Sequence, residues 1–291
     1  MMISIKRLVI VFLCLCSVGV YAETKVIVPF GQGGGVELSL RHFEKYLNDQ
    51  KNINFITVMK PGAEGLVGLQ ELSKSPKDGS VIGYTTIGSV ASAVKNDNLE
   101  FEYITATRKF TAVLVTNPKT NITTYKMFAK RMQYGVPYSF GYNTPAQLVF
   151  INEILKNVQP KTEVVKAPYK SVSNVLTDLV GGQTDFAILP YAVVKEHIKS
   201  GKLVILGSTS KLNDYPQLTS FDKVYSDWVD IAGYCFIAPK GTSPEVLLTW
   251  GKLIDSYLTN PKMIEEFKQE ASTTYPFGPV ILKQLIEKIN K

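Results

Sequence analysis

The run Val26-Ile27-Val28-Pro29-Phe30-Gly31-Gln32-Gly33-Gly34-Gly35-Val36-Glu37 constrains this chain more than any other segment. Its β-branched start reads as a buried strand. A glycine turn follows, and then Leu38, Phe43 and Leu47 recur on related turns of a helix over Val36–Asn48. A strand that feeds a helix through a tight turn is the repeating unit of an α/β fold. Three consecutive glycines leave backbone N–H groups with no Cβ in front of them, so the turn can approach an anion closely. The helix start behind it adds partial positive charge. The bland reading of the same residues is a plain strand-to-helix turn.

The alternation continues. Strands are expected at Lys25–Val28, Phe55–Met59, Val81–Thr85, Ala112–Thr116, Ser139–Gly141, Glu163–Lys166, Phe186–Leu189, Leu203–Gly207 and Ile231–Ala238. Further helices are expected near Leu66–Lys74, from Thr144 to Leu155, and at Ser173–Val180, Ala192–Lys199, Pro244–Thr259, Pro261–Glu270 and Pro279–Asn290. Thr144 suits an N-cap and Pro145 the first helical position. Gly181-Gly182 and Gly201 stop helices, and Pro76-Lys77-Asp78-Gly79 is a turn. This order predicts α/β architecture with largely parallel pairing. The length predicts two lobes, since domains run to about 100–150 residues. Crossings near Asn117–Tyr125 and Leu218–Val229 would divide the chain into a first lobe (23–120), a second (121–225) and a segment (226–291) whose helices return to the first. A ligand would sit in the cleft between them.

Residues 1–22 carry Lys6 and Arg7, then an apolar run from Leu8 to about Val20, and end Val20-Tyr21-Ala22. This pattern predicts a secretory signal peptide cleaved after Ala22. The apolar run is shorter than the roughly 20 residues a membrane-spanning helix needs. Cleavage removes two cations and no acid, so the formal charge falls from +7 to +5. That mild excess fits an anionic ligand or an anionic surface. Nucleic acid is not an expected partner, because Lys and Arg are scattered and no basic-aromatic motif is present. Cys14 and Cys16 leave with the signal, and Cys235, in an apolar run, reads as a small buried hydrophobe. Only two histidines, His42 and His197, occur, so no metal site and no cofactor are expected.

Several motifs resemble one family in their order. They are Val28-Pro29-Phe30 with Gly33-Gly34-Gly35, Lys60-Pro61-Gly62-Ala63-Glu64-Gly65, Pro76-Lys77-Asp78-Gly79 and Tyr84-Thr85-Thr86-Ile87-Gly88-Ser89. Ala167-Pro168-Tyr169-Lys170, the run Leu176–Asp185, His197–Leu203 and Ala238-Pro239-Lys240-Gly241-Thr242 follow. Together they resemble the extracytoplasmic solute-binding receptors of tripartite tricarboxylate transporters, the Bug receptors, over nearly the whole mature chain. The resemblance implies a two-lobed periplasmic-binding-protein fold, type II-like, with the ligand cleft between lobes. It implies a monomeric periplasmic receptor that delivers a small carboxylate to membrane subunits driven by an ion gradient. Family members take tricarboxylates, dicarboxylates, acidic amino acids, aromatic acids and nicotinate-like compounds, held by backbone amides and small hydroxyls.

Carried onto this chain, the resemblance assigns Phe30, Gly33, Gly34, Gly35 and Val36 to carboxylate binding. Glu37 stands where the family has Asp and reads as a helix-start cap. Thr86, Gly88 and Ser89 lie past a strand end, where ligands of open α/β sheets gather. Tyr142, Asn143 and Thr144 precede a helix whose free N–H groups face the other end of a dianion. Their loop is shorter than the family's Gly-rich one, and Ser171 replaces a usual Gly. Leu189 falls where many members carry Asp, which predicts a ligand without an amino group; Tyr191 is assigned to the same side. No catalytic residue is expected: a secreted enzyme needs a nucleophile and base, and no G-x-S-x-G occurs. A sensory receptor for a kinase is the alternative that sequence leaves open.

Overall fold

The computed structural model describes residues 24–51, 53–221, 232–275 and 278–290. The expected signal peptide, and most of the expected second crossing, lie outside the described residues. The chain starts β1 (Lys25–Val28), α1 (Gly35–Lys51), β2 (Ile56–Met59), α2 (Leu66–Ser73), β3 (Val81–Thr86), α3 (Ile87–Asn96) and β4 (Phe101–Phe110). It continues β5 (Ala112–Thr116), α4 (Tyr125–Met132), β6 (Ser139–Tyr142), α5 (Pro145–Val158), β7 (Val165–Pro168), α6 (Val172–Gly181), β8 (Phe186–Pro190), α7 (Tyr191–Lys199), β9 (Val204–Ser208) and β10 (Thr219–Ser220). The last described part holds β11 (Gly233–Pro239), α8 (Pro244–Leu258), α9 (Pro261–Gln269), β12 (Ser272–Thr274) and α10 (Pro279–Asn290).

Two sheets result, in the orders β12-β4-β11-β3-β1-β2 and β10-β9-β5-β8-β6-β7. Pairing is mixed rather than largely parallel. β1 runs parallel to β2 and β3, and β6 to β7 and β8, as βα alternation requires. β11 is antiparallel to both β3 and β4, and β5 to both β8 and β9. β5 carries the chain from one sheet to the other with Thr111 alone as its connection, so no crossover helix fixes its direction. This also moves the first crossing. It lies at Thr111, not near Asn117–Tyr125, because Val113 already pairs with Leu189 and Ser208 of the second sheet. Asn117 stays within that sheet's lobe: its Nδ2 donates to the carbonyls of Leu179 (2.6 Å) and Val180 (2.9 Å).

Each sheet buries both faces, which explains why its central strands read as unbroken apolar runs. Val26 and Val28 of β1 face Phe43, Trp250 and Tyr257 of α1 and α8, while Ile27 faces Leu69, Val90 and Leu282 of α2, α3 and α10. In the second sheet Leu114 joins Phe128, Phe140 and Ile154, and Val113 joins Val175, Leu179 and Val194 on the other side. The three C-terminal helices therefore pack on the first sheet. Cys235 is wholly buried there, and burial pushes its thiol pKa up, which keeps it protonated and inert.

Neither β4 nor α3 is among the elements expected from sequence. β4 hides its strand character because Thr105, Thr107 and Arg108 are buried alongside Ile104 and Ala106, so polar and apolar residues do not alternate. Its register against β11 also shifts twice, which breaks the period of two.

Candidate functional site

Helix starts, not charged side chains, line one cavity between the two sheets. The turn after β1 delivers Gly34, Gly35 and Val36 at the start of α1. Thr86, at the end of β3, caps α3: its Oγ1 accepts from Ser89 N (3.1 Å). Thr144 caps α5 in a reciprocal box, accepting from Gln147 N (3.2 Å) while Gln147 Oε1 accepts from Asn143 N (2.7 Å) and Thr144 N (3.2 Å). Ser171 caps α6, accepting from Asn174 N (3.2 Å), and Pro190 opens α7. Residues at the starts of these five helices (α1, α3, α5, α6 and α7) line one cavity of about 60 Å³ between the sheets. Each start carries about half a positive charge, and its first N–H groups have no partner inside the helix.

The remaining wall is apolar. Phe30, Phe110, Ala112, Phe150, Val172, Ile188 and Tyr234 line it, with Gly31, Ala146, Ala232 and Thr209. The Phe110 and Tyr234 rings stack with centroids 4.8 Å apart. Among the described residues no Lys, Arg, His, Asp or Glu lines this cavity. Asn143 is buried, and its Oδ1 has no hydrogen-bond partner in the protein. The chemistry this arrangement offers a small anion is solvation by backbone dipoles beside an apolar wall. Among the described residues no group of three His, Cys, Asp or Glu side chains is placed to hold a metal ion.

Of the residues assigned from sequence, Phe30, Gly34, Gly35, Val36, Thr86, Asn143 and Thr144 meet at the cavity. The others do not. Gly33 N donates to Glu37 Oε2 (3.0 Å), so its amide is already engaged; Glu37 also pairs with Arg41. Gly33 has φ +78° and abuts Ser173 of the opposite lobe, which is why no side chain fits there. Gly88 lets α3 approach Ala146 of α5, and Ser89 is bonded to Thr86 Oγ1 through its hydroxyl (2.8 Å). Tyr142 packs with the second sheet's core, where burial and then the Glu64 carboxylate hold its phenol pKa above the usual value. Ser171 is a cap pressed against Gly31.

Leu189 and Tyr191 are corrections of face. Side chains alternate along β8, so Ile188 and Pro190 look into the cavity while Leu189 turns to Val113 and Val175 behind the sheet. The expectation of a ligand without an amino group therefore loses Leu189 as its basis. Tyr191 lies in the same rear core, and its hydroxyl donates to Asp214 Oδ2 (3.0 Å). Sequence reasoning missed Gln147, Phe110, Phe150, Ile188, Pro190, Thr209 and Tyr234. Only Gln147 had a local signal, as the last residue of the Thr144-Pro145-Ala146-Gln147 capping box.

The lobes meet directly at the mouth of the cavity. Ser173 Oγ at the start of α6 donates to the carbonyl of Gln32 in the first turn (2.7 Å). This bond exists only while the lobes are together. Ser173→Ala is expected to weaken binding of the cognate carboxylate about two- to fivefold, the effect of losing about 0.5–1 kcal/mol from the closed form. Calorimetry on wild type and variant measures it; an unchanged affinity would show that the bond does not bias closure.

Two mixed α/β sheets closing on a helix-dipole cavity define the class of two-lobed solute-binding proteins. Residues 41–288 match the model of the tripartite tricarboxylate transporter family receptor (TctC), and the chain belongs to that family. Protein BugT of Bordetella pertussis is 24% identical over 264 residues, covering 86% of this chain and 80% of BugT. Among solved structures, R. palustris Rpa4515 with adipate has a TM-score of 0.81 at 15% identity, covering 92% of this chain and 93% of that one. MatC from Rhodopseudomonas palustris with bound malate has a TM-score of 0.80 at 15% identity, covering 92% and 97%. At such identities the two structures share the fold of this chain.

Proposed function

We propose that this chain is a periplasmic receptor that captures a small carboxylate and hands it to the membrane subunits of a tripartite tricarboxylate-type transporter. The observation that carries this reading is the convergence of five helix starts on a cavity with no charged side chain among its described lining residues. Such a site favours an anion. Family membership and the malate and adipate bound to two proteins of the same fold support a carboxylate as that anion.

The proposed cycle is closure on ligand. Groups of both lobes line the cavity, so a bound acid stabilises the joined form over the parted one and shifts the population towards it. Thr111, the single residue between β4 and β5, is the proposed pivot at the described crossing. The joined form then docks on the transporter. Export by cleavage after Ala22 and function as a monomer complete the reading, with lobes built around the two sheets.

Native mass spectrometry of the protein purified without denaturation tests it. One carboxylate released per chain is the expected result. A neutral or cationic ligand retained at one per chain would overturn the reading.

A further inference from the structure

No cationic side chain lines the cavity among the described residues, so the positive excess of this chain is not spent there. Nor is it evenly spread. The residues around the second sheet (111–221) hold twelve Lys and Arg against six Asp and Glu. The described residues around the first sheet hold sixteen against fifteen, so that half is close to neutral.

Part of the excess gathers at one pole. α5 begins at the cavity and runs for 14 residues, which carries its far end about 20 Å away. There the segment after α5 is tied to the segment after α4. Lys161 N donates to the carbonyl of Met132 (3.0 Å), Thr162 Oγ1 to that of Val136 (3.1 Å) and Val165 N to that of Tyr138 (3.0 Å). Lys126 and Lys130 are both exposed and lie one turn apart on one face of α4. Lys130 Nζ stands 5.9 Å from the centre of the Tyr134 ring, and the exposed Lys161 side chain passes beside Gly135. Tyr134 is 58% exposed, and Val136 is exposed with it. Over 125–138 and 158–166 the only acid is Glu163.

We propose that this pole of the second lobe rests on an anionic phospholipid surface, with Lys126, Lys130 and Lys161 over the phosphates and Tyr134 and Val136 in the headgroup layer. Charge complementarity selects the occupant. Each cation brought to an anionic bilayer strengthens binding about fivefold, and one acid offsets only part of what three lysines supply. The lysines are point charges on flexible stems, which suits a diffuse layer of charge better than one fixed phosphate. A ring with a polar tip beside an exposed apolar residue suits the layer where water gives way to lipid. The pole lies at the far end of α5 from the cavity, so empty and loaded receptor are held at the membrane alike.

Co-sedimentation of the mature protein with phosphatidylglycerol–phosphatidylethanolamine vesicles, and with phosphatidylcholine vesicles, tests it. The expected result is binding to the anionic vesicles alone at about 0.1 M salt, lost by about 0.5 M as the charges are screened. Lys130→Gln with Lys161→Gln should weaken it about 25-fold. Lys252→Gln with Lys262→Gln makes the same charge change on exposed lysines of the first lobe and should leave it unchanged. No more protein on anionic than on neutral vesicles, or equal losses from the two pairs, would overturn the proposal and leave the receptor reading standing. So would capture only by membranes that carry the transporter subunits, which would make the partner a protein.

Discussion

Gly35→Ala is expected to lower affinity for the bound acid by about five- to a hundredfold with the fold intact. A Cβ at this position falls against the Tyr234 hydroxyl and stands 3.1 Å from Pro190 Cγ. Both are cavity walls, one from each lobe. Forcing a methyl group into a packed site costs about 1–3 kcal/mol, and each 1.4 kcal/mol is a factor of ten in affinity. Gly35 has no positive φ and lies inside the first turn of α1, where alanine is the better helix former, so the cost falls on binding and closure rather than on α1 itself. The atom in the way is the hydroxyl, not the ring. Tyr234→Phe in the Gly35→Ala background is therefore expected to recover most of the loss. Calorimetry on the two single variants and the double variant checks this. Equal losses in Gly35→Ala with and without Tyr234→Phe would refute the steric account.

Arg108→Met is expected to be the most destabilising of the changes considered, at about 3 kcal/mol. Arg108 is 2% exposed in β4, with its Nε donating to Ser39 Oγ on α1 (3.2 Å) and its Nη1 to Glu270 Oε2 (2.7 Å). Its guanidinium lies 4.5 Å from the centre of the Phe267 ring. Glu270 Oε1 in turn sits 3.2 Å from His42 Nδ1, also on α1. One cation thus ties β4, α1 and the end of α9 together. Removing one partner of a buried pair costs about 3–5 kcal/mol; the lower end applies because the Glu270 side chain is 25% exposed and rehydrates. At about 2–4 °C per kcal/mol, Tm should fall about 6–12 °C. Adding Glu270→Gln should recover part of it, since the stranded charge is gone. A double variant less stable than Arg108→Met alone would mean that packing, not the unpaired charge, sets the cost. Because α1 carries the glycine turn, the single variant should weaken binding as well.

What the sequence made legible was local. The β1–turn–α1 unit needs only β-branched residues, glycines and a helical apolar stripe, and Gly34, Gly35 and Val36 stand at the cavity. Thr144-Pro145-Ala146-Gln147 likewise announces a capped helix start, and both Asn143 and Thr144 line the site. What stayed hidden was set by tertiary arrangement. Whether Leu189 or its neighbours face the ligand depends on which side of β8 the other lobe approaches, and a fully buried strand gives no polar alternation to tell. Phe110 and Tyr234 belong to strands 124 residues apart in sequence that meet only across the sheet, at the β4–β11 pairing. The change of sheet at Thr111 was invisible for the same reason: β4 and β5 are separated by one residue with no Gly or Pro to mark the break. Glu37 shows the opposite case, since an acid at a helix start has a local duty, and it performs one on Gly33 N.

The most direct measurement is a crystal structure of the protein with the acid that native mass spectrometry identifies. The account requires a carboxylate oxygen at hydrogen-bond distance, about 2.8–3.0 Å, from backbone N–H groups at a helix start lining the cavity, such as those of Gly35 or Val36. A carboxylate held instead by a Lys or Arg side chain, or an apolar end of the ligand against the glycine turn, would contradict the claim that helix starts rather than charged side chains make this site.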